Sequence, residues 1–129
     1  MKIIKRLSEP KFITLFALCW TGLVFYLCLT ESSSLPKFNF EFKDKIIHFL
    51  FYFIFVILWY NSQIKAIKGT NQLAYIVFLA IAIGVLIEFL QKEFTKIRTF
   101  DWLDIIANTL GAISCYLFIK LFFQTKKDN

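Results

Sequence analysis

His48 is the only histidine of the chain and the only side chain whose ordinary pKa lies near neutrality. Asp44 stands four residues before it, on the same face if the segment is helical. Further on come Glu88 and Gln91, three apart, then Arg98, then Asp101, Asp104 and Asn108 at i, i+3 and i+7. An imidazole oriented by a carboxylate suits general acid–base work. Glu88, set among Leu86, Ile87, Phe89 and Leu90, or Asp104 could hold the complementary proton. Arg98 suits a phosphate or carboxylate. No serine or cysteine nucleophile falls inside the set, and Ser32, Ser33 and Ser34 have no partner base. One histidine with several carboxylates fits Mg²⁺ or Mn²⁺ better than Zn²⁺, but Lys45 and Arg98 stand among them and repel cations, so no metal or other cofactor is expected.

The chemistry that suits these residues is hydrolysis or transfer on a lipid-linked phosphate or sugar. His48, Asp44, Glu88 and Asp104 are its catalytic candidates. Lys45, Gln91, Arg98, Asp101 and Asn108 are its binding candidates. Ligand or partner-protein binding without reaction is an equal alternative, and the runner-up is a non-catalytic membrane interaction or assembly protein whose polar stripes are structural, as interhelical glue.

Four long apolar stretches must position these residues. Hydrophobic residues make up 58% of the 129 positions, and mean hydropathy is +0.63. That is more apolar surface than a soluble domain of this length can bury. The stretches fall at about 12–29, 46–60, 73–90 and 103–123, and roughly 20 helical residues cross a ~30 Å hydrocarbon core. The expected fold is an all-α, four-helix transmembrane bundle with short loops, forming one domain over 1–129. The second stretch is the shortest, and a re-entrant or tilted helix is its alternative. Phe38, Phe40 and Phe42 alternate with polar residues and read as a short extended segment at the interface.

The first stretch follows Lys2, Lys5, Arg6 and Lys11 but is too long for a signal-peptide core and lacks a small-residue cleavage site, so it reads as an uncleaved span. Cys19, Cys28 and Cys115 lie inside apolar stretches, without metal-ligand spacing. Nine of the 15 Lys and Arg fall on the side of the two termini, which places both termini in the cytoplasm. The net charge of +6 then suits anionic lipid headgroups. Nucleic acid is a poor partner for basic residues scattered over both sides. With antiparallel spans, all the chemistry-bearing residues share one end of the bundle, the extracytoplasmic one. A transporter would carry polar groups at mid-membrane instead.

These residues carry a resemblance. Asp44-Lys45-Ile46-Ile47-His48-Phe49, with Tyr52-Phe53 after it, resembles the D-K-x-x-H-F-x-x-Y-F signature of VanZ-like membrane proteins. Glu88-x-x-Gln91, then Arg98, then Asp101-x-x-Asp104-x-x-x-Asn108-x-x-Gly111 is similar to that family's second motif. The resemblance runs from about residue 10 to 120; Ser114-Cys115 depart mildly from it. It implies a small bacterial inner-membrane protein with a role at the cell envelope. The family takes its name from a protein conferring resistance to a glycopeptide antibiotic, which makes an envelope precursor or a glycopeptide the implied ligand. The oligomeric state is not implied.

Overall fold

The computed structural model describes residues 9–30, 43–63, 71–95 and 100–124. Four α-helices account for nearly all of them: α1 Pro10–Leu29, α2 Lys43–Gln63, α3 Asn71–Phe94 and α4 Trp102–Ile119. α4 runs on into a π-helical turn, Lys120–Gln124. No strand occurs among the described residues. All four helices are long and apolar enough to cross a membrane. The expectation of a short second span is corrected: α2 has 21 residues. Polar residues at both its ends, Lys43 to Lys45 and Asn61 to Gln63, continue the helix beyond the apolar run from which its length was judged. Arg98 and the segment of Phe38, Phe40 and Phe42 lie outside the described residues.

Local chemistry explains the helix ends. Pro10 opens α1, where a missing N–H costs nothing. Asp101 caps α4, its carboxylate accepting from the Leu103 N–H at 2.8 Å. Within α1 the hydroxyls of Thr14 and Thr21 donate back to the carbonyls of Pro10 and Ala17 at 2.8 and 2.7 Å, which satisfies them inside hydrocarbon.

The outside of the bundle is apolar. Leu15, Phe16, Phe78, Leu86, Phe89, Leu110 and Leu117 are exposed, as lipid-facing side chains should be. Lipid offers little hydrophobic drive between helices, so small residues and hydrogen bonds must hold the interior. α2 packs most extensively on α4. Gly111 makes that approach possible, because a Cβ there would lie 2.1 Å from the Phe49 carbonyl oxygen. Gly84 of α3 admits Tyr52 and Asn108 in the same way, with contacts of 3.2–3.3 Å to an added Cβ. α1 is fastened from outside: Trp20 Nε1 donates to the Phe51 carbonyl at 3.0 Å, and Trp59 Nε1 to Thr21 Oγ1 at 3.2 Å.

Candidate functional site

The glycine contacts set α2, α3 and α4 close enough for their polar side chains to meet at one end of the bundle. His48 comes from the second turn of α2, Glu88 from the last third of α3, and Asp104 and Asn108 from the first half of α4. His48, Glu88 and Asp104 each offer a ligand atom within 4.8 Å of the others. His48 Nδ1 lies 3.0 Å from Asn108 Oδ1, and in the tautomer with its proton on Nδ1 it donates there. His48 Nε2 faces Asp104 Oδ2 at 3.6 Å. Lys45 donates to both Asp101 Oδ2 and Asp104 Oδ1. Glu88 Oε2 accepts from the Asp101 N–H at 3.3 Å, while its Oε1 has no hydrogen-bond partner among the described residues.

The cluster grades from core to surface. Glu88, Asn108 and His48 are 0%, 1% and 4% exposed; the side chains of Asp104, Lys45 and Asp101 reach 13%, 26% and 39%. A small ligand or headgroup would therefore meet Lys45 and Asp101 first. The hydrogen bond from Lys45 holds the Asp101 carboxyl below the usual carboxylate range, against the opposing effect of partial burial and with help from the Leu103 N–H.

Several sequence expectations change here. Asp44 is exposed, and the groups found against His48 are Asn108 and Asp104, both from α4. The reason is geometric: α2 turns His48 toward α4 through the close contact at Gly111. Gln91 is buried, but its Nε2 donates to the Cys28 carbonyl at 2.7 Å and ties α3 to α1. Asp101 is the N-cap of α4 and not the first member of a helical stripe. Sequence reasoning missed Tyr52, which is 1% exposed with a hydroxyl unpartnered among the described residues. Its spacing, one helical turn after His48, was the available signal.

The family model described as VanZ/LLP1 matches residues 11–123. The chain belongs to the VanZ/LLP1 family. No curated protein and no solved structure matches it significantly. The family match covers every residue of the cluster in this VanZ/LLP1 chain and all four helices, apart from Pro10 and the last residue of the π turn. A separate groove of about 340 Å³ lies at the other end of the bundle, walled by Phe55, Trp59, Tyr75, Ile76 and Leu79, and contains none of these residues.

Chemically the arrangement offers an imidazole held in one tautomer by an amide, two carboxylates against it, and an ammonium at the rim. Those are the parts of an acid–base couple, with the rim ammonium engaged by Asp101 and Asp104.

Proposed function

We propose that this VanZ/LLP1 chain is a multi-pass protein of the bacterial inner membrane that engages the polar headgroup of an envelope lipid, a lipid-linked phosphate or sugar. The cluster of α2, α3 and α4 is its site, opening on the extracytoplasmic side. The observation that carries this reading is Glu88, fully buried with one carboxylate oxygen unpartnered among the described residues. A group kept only for packing would be paired, since an ionised carboxylate in hydrocarbon costs a few kcal/mol. Lys45 and Arg98 are the cationic groups a phosphate would engage, Lys45 by exchanging Asp101 or Asp104 for it. His48 with Asp104 or Glu88 forms the couple for hydrolysis or transfer. The basic residues on the side of the termini set the orientation, with both termini cytoplasmic. Glycopeptide tolerance follows only if the headgroup belongs to a wall precursor.

The test is reconstitution of the full chain in vesicles carrying a polyprenyl phosphate. Lipid retention is read by native mass spectrometry and turnover by chromatography. The wild type should retain or convert the lipid, and His48→Ala and Glu88→Gln should lose this while melting at the wild-type temperature. The structural reading draws on the satisfied Gln91–Cys28 and His48–Asn108 contacts. It expects instead that the His48 and Glu88 variants lose folded protein in step with any loss of binding.

A further inference from the structure

We infer that His48 Nε2, Asp104 Oδ2 and a Glu88 carboxylate oxygen form a binding site for a divalent transition-metal ion of the Mn²⁺ or Zn²⁺ kind. The inference rests on the same cluster as the proposed function but assigns it a ligand set of its own. The three ligand atoms lie within 4.8 Å of one another on three different helices. The separation of His48 Nε2 from Asp104 Oδ2, 3.6 Å, exceeds hydrogen-bond length. It matches the spacing of two ligands on one ion, since bonds of about 2.0–2.2 Å in tetrahedral geometry put ligand atoms roughly 3.3–3.6 Å apart. Glu88, with rotatable side-chain bonds and a ligand atom within 4.8 Å of the other two, would complete the set by a side-chain adjustment.

Two further observations point to an ion. Glu88 is fully buried and its Oε1 has no hydrogen-bond partner among the described residues, so the described part of the cluster holds carboxylate capacity that it does not use. The His48 Nδ1 contact with Asn108 Oδ1 is the outer-shell bond that fixes metal-binding histidines, holding the tautomer with its lone pair on Nε2. Lys45, which from sequence argues against a cation, is bonded to Asp101 and to the other oxygen of Asp104. It leaves Oδ2 to the histidine side. Among the described residues of the cluster, three carboxyl groups, Glu88, Asp101 and Asp104, stand with one ammonium, that of Lys45, and a divalent ion would favour their ionised forms. An imidazole with two carboxylates is a borderline-to-hard donor set, which suits Mn²⁺ or Zn²⁺ better than soft ions. Such an ion would also grip a phosphate oxygen.

The test uses the full chain in nanodiscs of zwitterionic lipid, stripped with a chelator and titrated with MnCl₂ or ZnCl₂ alone. Bound metal is counted by elemental analysis and Mn²⁺ is followed by electron paramagnetic resonance. One ion per chain is expected, with nitrogen coupling from the imidazole. Glu88→Gln, Asp104→Asn and His48→Ala should each weaken binding at least about tenfold, and His48→Ala should erase the nitrogen coupling. Asn108→Ala, which removes only the outer-shell bond, should weaken binding by about 10–100-fold. Glu93→Gln, an exposed acid near the same end of α3, should bind as wild type and shows that charge loss alone is not read. Wild-type binding no tighter than that of the three ligand variants, or Mn²⁺ binding without nitrogen coupling, overturns the assignment. No envelope lipid is present, so failure here leaves the headgroup reading to its own vesicle test.

Discussion

Lys45 is the residue on which the rim of the site turns. Its ammonium bonds to Asp101 and Asp104, so removing it leaves two neighbouring carboxylates at the start of α4 without their shared cation. Lys45→Gln should destabilise the detergent-solubilised protein by about 1–3 kcal/mol, measured by chemical unfolding. Asp101→Asn should cost less, within about 1 kcal/mol, because that side chain is 39% exposed and solvent screens it. Asp101 also fixes a pH dependence. Its folded pKa is depressed, chiefly by Lys45. The stability it contributes is therefore present above the ordinary aspartate pKa of about 3.9 and is lost only as pH falls below that, through the lower folded value. Unfolding followed by circular dichroism from pH 6 to pH 3 should show an acid limb that is shallower in Asp101→Asn.

The elements meet where side chains are smallest. A Cβ on Gly111 would overlap the Phe49 backbone, an atom that cannot rotate away. Gly111→Ala should therefore push α4 off α2, at about 1–3 kcal/mol or more, and carry Asp104 and Asn108 away from His48. Gly22 of α1 has nothing within 4 Å of a built Cβ, and Gly22→Ala should be neutral or stabilising by up to about 1 kcal/mol. Melting temperatures of the two variants, with lipid retention for Gly111→Ala, check the pair. The same scale explains how much the sequence disclosed. The spans were legible because hydrocarbon demands long apolar runs, and the shared end of Glu88 and Asp104 followed from antiparallel parity. The partners of His48 were not legible. Spacing within α2 favoured Asp44, whereas the contact with Asn108 depends on how far α4 approaches, which Gly111 sets and no periodicity reveals. Gln91 lay on the expected face but answers to the Cys28 carbonyl, a backbone group that one-dimensional reading cannot place.

At the scale of the whole molecule, the described residues hold four helices long and apolar enough to cross a membrane, and the proposed topology, drawn from the distribution of basic residues, has both termini in the cytoplasm. Reporter fusions at either terminus should both be active in the cytoplasm. A reporter inserted between α3 and α4 should be active only outside it. The account as a whole depends on Glu88 being kept for a ligand and not for the fold. The unfolding free energy of Glu88→Gln against wild type, in detergent with chelator and no added lipid, tests this most directly. Glutamine can still accept from the Asp101 N–H, and it removes a buried charge. The expected result is a variant within about 1 kcal/mol of wild type, or more stable. A loss of about 3–5 kcal/mol would mean that the carboxylate is a structural partner, and would contradict the account.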